Sequence, residues 1–153
     1  MTNTTITLKD RAPDFALKDQ HGEEVRLSDL KGRKVLLSFH PLAWTAICAD
    51  QMKSLERNAP VLEQLNTVAF GISVDSVPSK KAWAEHLEIV HTGLLSDFWP
   101  HGEVAQLYGI FRVGNGFSER ANILIDENQK AAFVKVYPLS ELPDIREIIQ
   151  VLE

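Results

Sequence analysis

The stretch Val35-Leu-Leu-Ser-Phe-His-Pro-Leu-Ala-Trp-Thr-Ala-Ile-Cys48 decides how the chain is read. Its first five residues are mostly apolar and follow Lys31-Gly-Arg-Lys34, so they predict a short buried central strand. A helical pattern comes next. Cys48, Met52, Leu55, Ala59 and Leu62 recur at spacings of four, three, four and three, which sets them on one helix face with the cysteine at its start. Pro60 lacks the N–H that a continuous helix needs, and predicts a kink or division near Asn58. A helix that begins directly after a strand marks the junction where α/β proteins place ligands and reacting groups.

That junction carries the pattern P-x-x-x-T-x-x-C as Pro41, Thr45 and Cys48. A thiol attacks as its thiolate, and a helix N-terminus stabilises the anion through unpaired N–H groups and the macrodipole. Cys48 in the first turn is placed for such activation. Thr45 lies three residues earlier and can present its hydroxyl near the sulfur; it equally suits the N-cap of the helix. Pro41 directs the loop and has no backbone N–H to satisfy. Cys48 is the only cysteine among the 153 residues, so no second thiol within them can form a disulfide with it. A lone cysteine is ordinarily a small buried hydrophobe; its position at a helix start is what gives it a chemical reading.

Moving outward, Phe15-Ala-Leu17 and Val25-Arg-Leu27 flank Asp19-Gln-His-Gly22 and predict a hairpin. Val68–Val74 reads as a second buried strand. Ser76, with Pro78 soon after, predicts a capped helix to about Leu87, with Trp83 and Leu87 sharing a face. Leu94-Leu-Ser96 is a candidate short strand. Val104, Leu107 and Tyr108 predict a short helix with Gly109 as its C-cap. Ala121–Ile125 and Ala131–Tyr137 flank Asp126–Lys130 as an antiparallel pair. Pro143 reads as the opening of a last helix with Ile145, Ile148, Ile149 and Leu152 on its apolar face. The order β-β-β-α-β-α-β-α-β-β-α predicts an α/β protein, a central mixed sheet with helices on both faces, in one domain over 1–153.

Composition narrows the function. Hydrophobic residues at 44% and charged residues at 24% are ordinary globular usage. A net charge of −5 argues against nucleic-acid and acidic-membrane partners, which call for a basic surface. Met1–Leu8 has neither a basic nor an apolar region of the kind a signal peptide needs, and the apolar runs are far short of a membrane span. Cysteine poverty suits a reducing compartment, so the expected location is cytoplasmic. His21, His86, His91 and His101 are dispersed, and none stands at metal-ligand spacing with another His or with Cys48. No Gly-rich phosphate loop and no C-x-x-C pair is present. Neither a cofactor nor a metal is expected.

With these residues in view, the chain resembles the peroxiredoxin family along nearly its whole length. The likeness rests on Ala12-Pro-Asp-Phe15, the P-x-x-x-T-x-x-C loop, Trp83, and Arg120 opening Arg120-Ala-Asn-Ile-Leu-Ile-Asp126. Ser96-Asp-Phe-Trp-Pro100 with Val104-Ala-Gln-Leu-Tyr-Gly109 is most similar to the one-cysteine, AhpE-like branch. The resemblance implies a thioredoxin-like fold with an N-terminal hairpin extension and a catalytic set of Cys48, Thr45, Pro41 and Arg120. It brings Arg120 to Cys48, because the strand after Arg120 runs antiparallel to the one ending at Phe39. It also implies reduction of hydroperoxides through a Cys48 sulfenic acid, recycled by an external thiol: thioredoxin, a glutaredoxin-like protein or a small thiol. A sensor or redox relay that passes oxidation from Cys48 to a partner protein would use the same site. A non-catalytic interaction module would leave the motif idle.

Two positions depart from the common family pattern. His40 stands where Phe or Tyr is usual, and Gln51 where many members carry Glu. A hydrogen-bonded structural role is expected for His40, and packing roles for Trp44 and Trp83. The apolar loop residues Leu42, Trp44, Phe98, Trp99 and Pro100 would be costly to leave in one exposed patch. Together with the resemblance, they predict a homodimer formed edge to edge near the active-site loops.

Overall fold

The computed structural model describes residues 4–153; Met1–Asn3, which begin the N-terminal segment read above, lie outside the described residues. In chain order the strands and helices are β1 (Ala16–Lys18), β2 (Glu24–Arg26), β3 (Lys34–Phe39), α1 (Ala46–Arg57), α2 (Ala59–Gln64), β4 (Thr67–Ser73) and α3 (Val77–Leu87). There follow β5 (Gly93–Ser96), α4 (Glu103–Leu107), β6 (Phe111–Arg112), β7 (Phe117–Ser118), β8 (Arg120–Ile125), β9 (Ala131–Tyr137) and α5 (Ile145–Leu152). A 3-10 turn, Leu27–Leu30, continues from β2.

Seven strands form one mixed sheet in the order β2-β1-β5-β4-β3-β8-β9. The central strands β3, β4 and β5 are parallel, as helical crossovers require. The hairpin partners β1–β2 and β8–β9 are antiparallel. Strand β8 also runs antiparallel to β3, with Ser38 opposite Asn122 and Phe39 opposite Ala121. The end of β3 therefore lies beside the start of β8.

Alternation along β3 divides its side chains between two cores. Val35, Leu37 and Phe39 pack with Phe15, Leu27, Ile72, Tyr108 and Ile123 on one side. Leu36 packs with Cys48, Met52, Leu62, Trp83 and Ile148 on the other, under α1, α2, α3 and α5. Full burial of a side chain such as Leu37 stabilises the fold by about 1.5–3 kcal/mol. Ser38 and His40 share the Leu36 parity, so polar groups appear on the helix-covered side where β3 hands over to α1.

The division near Asn58 is present. Asn58 ends α1, and both its backbone N–H and its Nδ2 donate to Ser54 O. Pro60 falls in the first turn of α2, where its missing N–H has no intrahelical partner to lose. Ser76 caps α3 by accepting from Ser79 N.

Three details differ from the expectations. Pro143 lies outside α5; Asp144 is the N-cap, and its carboxylate accepts from Arg146 N. The C-cap of α4 is Tyr108, and Gly109 follows it at φ +72°. A Cβ at Gly109 would meet the backbone carbonyl of Thr4, so glycine is required there for space as well as conformation. The small hairpin β6–β7 is additional; strands of two residues are too short to show an alternating pattern.

Candidate active site

Thr45 has the extended backbone of an N-cap, and α1 starts at Ala46. Cys48 thus sits in the first turn, fully buried. The Thr45 hydroxyl makes no capping bond; it donates to Leu42 O at 2.8 Å. This ties the loop that leads to the helix. Pro41 is buried and Thr45 exposed, so the motif reaches from the interior to the surface.

The loop is fastened at other points. Asp75, just beyond β4, accepts from Ala43 N at 2.8 Å and from Ser73 Oγ at 2.6 Å. Trp44 adopts φ +70°, a conformation that is unfavourable for a bulky residue. Its indole Nε1 donates to Ser79 Oγ at 3.2 Å and its ring lies 5.5 Å from that of His86. These contacts with α3 hold it there, although the side chain is 53% exposed rather than packed in the core. Trp83 is buried in the core.

Arg120 reaches the sulfur because β8 begins where β3 ends. Its Nη1 donates to Cys48 Sγ at 3.2 Å and to Gln51 Oε1 at 2.8 Å. Its Nε and Nη2 both donate to Leu139 O, at 3.1 and 2.9 Å. The guanidinium is held on both sides, so the planar fork has a defined orientation.

Gln51 extends this arrangement inward. Its Nε2 donates to Ser38 Oγ at 2.7 Å and to Phe39 O at 3.2 Å. Ser38 Oγ in turn donates to Asn122 Oδ1 at 2.7 Å. A buried chain therefore runs from Asn122 through Ser38, Gln51 and Arg120 to the sulfur. Buried polar networks are favourable only when their members are paired, and each of these links is made. Gln51 serves Arg120 as an acceptor without adding a second negative charge beside the thiol.

His40 is fully buried behind the loop. Its Nε2 lies 2.7 Å from Lys80 Nζ, its Nδ1 lies 3.4 Å from Ser38 O, and its ring is 5.4 Å from Trp83. Burial, then the Lys80 charge, holds the imidazole well below its usual pKa, against the pull of the Ser38 carbonyl. It is a neutral, hydrogen-bonded histidine. Gly71 on β4 makes room for it: a Cβ there would strike Met52 Sδ and stand 3.2 Å from His40 Cε1.

Sequence reasoning singled out Cys48, Thr45, Pro41 and Arg120 but passed over Ser38, Asp75, Lys80 and Asn122. Ser38 and Asn122 had a visible signal, a single polar residue inside each otherwise apolar strand. Lys80 shares a helix face with Trp83 at a spacing of three, although its neighbour Lys81 is exposed. Nothing local marks Asp75.

The profile of the AhpC/TSA family matches residues 8–134. Alkyl hydroperoxide reductase E of Mycobacterium tuberculosis (strain ATCC 25618 / H37Rv) is 39% identical over 136 residues, 88% of each chain. A peroxiredoxin of Thermoplasma volcanium is 30% identical over 153 residues, covering 97% of this chain and 74% of the relative. Among solved structures, the reduced 2-Cys peroxiredoxin of Plasmodium vivax superposes with a TM-score of 0.87 at 26% identity, over 95% of this chain and 79% of that one. Peroxidoxin BcpB of Mycobacterium tuberculosis gives 0.84 at 27% identity, over 96% of both chains. The thioredoxin-like fold with its N-terminal hairpin is borne out by these likenesses. With a single buried Cys48 beside Arg120, the chain belongs to the AhpC/TSA family of peroxiredoxins, and it is a thiol-dependent peroxidase.

Proposed function

We propose that the protein reduces hydrogen peroxide and organic hydroperoxides with Cys48, and that an outside thiol restores the sulfur. The observation that carries this reading is the Arg120 guanidinium, 3.2 Å from Cys48 Sγ and fixed by Leu139 and Gln51. Such a cation favours the thiolate over the thiol.

In the proposed reaction the thiolate attacks one peroxide oxygen in line with the O–O bond. The S–O bond forms as the O–O bond breaks. The sulfur is oxidised to sulfenic acid, and the other oxygen takes up a proton and leaves as water or an alcohol. Arg120 offsets charge gathering on the leaving oxygen, with one Nη2 N–H beyond its bond to Leu139 to direct at it. Thr45 donates its own proton to Leu42 O, so its oxygen can accept the O–H of an entering peroxide. Pro41 shapes the loop behind the substrate.

Among the 153 residues no second cysteine can resolve the sulfenic acid. An external thiol condenses with it, releasing water and leaving a mixed disulfide, and a second thiol then frees the Cys48 thiolate. Thioredoxin, a glutaredoxin-like protein or a small thiol can fill this role, which calls for the thiol-rich cytosol. A homodimer completes the proposal, with the apolar loops at its contact.

The test is rapid mixing of the reduced protein with hydrogen peroxide, followed by turnover with each reductant in turn. The wild type should consume peroxide and yield a trappable sulfenic acid. Cys48→Ser should fold and do neither. Peroxide consumption by Cys48→Ser in a metal-free preparation would overturn the reading. So would quantitative covalent dimer, reversible by dithiothreitol, after one equivalent of peroxide, since Cys48 would then resolve itself between subunits.

A further inference from the structure

Two of the four hydrogen bonds that orient Arg120 end on Leu139 O. Leu139 lies in the irregular segment 138–144 between β9 and α5. Pro138, Ser140, Glu141 and Leu142 of that segment are exposed, and buried Pro143 pins its far end. A turn bond from Glu141 N to Pro138 O at 3.0 Å braces the loop internally. Surface loops move more than the elements they connect, so a loop carbonyl is a poor anchor for a buried cation unless its near end is also held to the body of the protein.

Tyr137 supplies that hold. It is the last residue of β9, is 2% exposed, and stands directly opposite Arg120 in the β8–β9 register. Opposite residues of an antiparallel pair share a face of the sheet. Here it is the face of Leu124 and Phe133, which pack under α1 and α5. The Tyr137 hydroxyl donates to Glu147 Oε1 of α5 at 2.9 Å. Lys135, two residues earlier on the same face, donates to Glu147 Oε2 at 2.7 Å, and its Nζ lies 4.8 Å from the centre of the Tyr137 ring. The side chains of Lys135 and Glu147 are 42% and 32% exposed, and an ion pair so open to water contributes little. The bond from the buried hydroxyl to the carboxylate is charge-assisted and stronger. It joins the two elements that bound the loop, two residues before Leu139.

We infer that Tyr137 is a positioning residue for Arg120: its hydroxyl latches β9 to Glu147 of α5 and so keeps the Leu139 carbonyl where it receives the guanidinium at the thiol. The inference deepens the peroxidase reading of the site and rests on it. With the latch open, Leu139 O drifts with its loop, and Nε and Nη2 lose their fixed acceptor. Nη1 still reaches Gln51 and the sulfur, but the plane of the fork is no longer set from both sides. A displacement of about 1 Å at a reacting group can cost about 10²-fold in rate, so a small movement of the loop is enough. Tyr137 acts on the sulfur through Arg120, which distinguishes it from a residue that only stabilises the fold.

The experiment compares wild type, Tyr137→Phe and Glu147→Leu, each also combined with Arg120→Ala and each checked for folding by circular dichroism. The first measurement is the ultraviolet absorbance of the thiolate, titrated against pH without peroxide, with the matching Cys48→Ser protein as the blank. Burial, then donation to Glu147, holds the Tyr137 phenol above its ordinary range, so it does not ionise within the titration. The second is the rate with hydrogen peroxide at pH 7. Tyr137→Phe and Glu147→Leu should each raise the thiolate midpoint to a value between those of wild type and Arg120→Ala. Each should react roughly tenfold more slowly than wild type, short of the loss of about 10²-fold or more that follows removal of the cation itself. In the Arg120→Ala background neither should move the midpoint further, because the effects of residues that act through one another do not add. If Tyr137→Phe does not fold, Glu147→Leu carries the comparison; failure of both to fold would show that the latch serves the fold and would overturn the inference. Wild-type midpoints and rates in the folded variants would overturn it too. So would an equal shift with Arg120→Ala in place, the mark of a general loosening. If wild type consumed no peroxide but the midpoint still moved only where Arg120 is present, the peroxidase reading would fail while the role of Tyr137 stood.

Discussion

Arg120 is held by three acceptors, and this determines what its removal should do. Arg120→Ala deletes the cation beside the thiol and leaves Gln51 Oε1 and Leu139 O without their donor. Loss of one well-aimed charge-stabilising donor costs about 10²-fold or more in rate. Stopped-flow measurement of peroxide reduction should show that drop, and a rate equal to wild type would remove Arg120 from the reaction. Gln51 is a step further out. Gln51→Leu leaves Arg120 oriented by Leu139 O and the sulfur alone and takes from Phe39 O a buried donor. Leaving a buried polar group unpaired costs about 1–3 kcal/mol. The expected outcome is a lower denaturant midpoint together with a slower peroxide reaction; unchanged values for both would show that the buried chain is not coupled to the sulfur.

At the scale of elements, one carboxylate joins α1 to the segment entering β5. Glu56 accepts from the backbone N–H groups of Val90, His91 and Thr92 and from His91 Nδ1. Burial pushes its pKa up, but these donors prevail and lower it from 4.5 to about 2. A folded pKa below the unfolded one means that the stabilisation is complete above about 4.5. It is lost as pH falls from there towards about 2. Glu56→Gln should therefore be less stable than wild type at pH 7, by about 2 kcal/mol for charge-assisted bonds of this kind. The gap between the two should close as the pH is lowered towards 3. Urea unfolding at several pH values tests this, and a gap that stays constant into acid would show that the charge of Glu56 is not what holds the segment. The same helix carries Cys48 at its other end, so slackness here would reach the thiol through α1.

For the whole molecule, the open matter is what covers its apolar loops. Trp99 is 81% exposed, Trp44 53% and Phe98 51%. Trp99 and Phe98 also line a surface hollow of about 470 Å³ with Leu17, Val77 and Ser96. Large apolar side chains in contact with water favour association. We predict a dimer in sedimentation velocity, which Trp99→Glu should shift towards monomer while the far-ultraviolet circular dichroism remains unchanged. A strictly monomeric wild type at high protein concentration would refute it.

The order of elements and the start of the thiol-bearing helix were legible in the chain because both follow from local patterns. Val35–Phe39 is apolar over the length of a strand, and Cys48 to Leu62 repeats at the period of a helix. Pro60 divides that helix by lacking an N–H, whatever surrounds it. Local pattern alone gave no reason to pair Arg120 with Cys48; the family resemblance supplied that, and the antiparallel register of β8 on β3 is its physical basis. Contacts between residues far apart in sequence lay beyond such reading. Lys80 shares a helix face with Trp83 and Lys81 does not, but nothing local shows that the first is buried against His40 while the second is in water. Asp75 looks like any loop carboxylate until Ala43 is folded against it. Whether a charge is solvated or buried, and which partner it meets, depends on how strands and helices are brought together, and that arrangement is a property of the assembled sheet rather than of any segment within it.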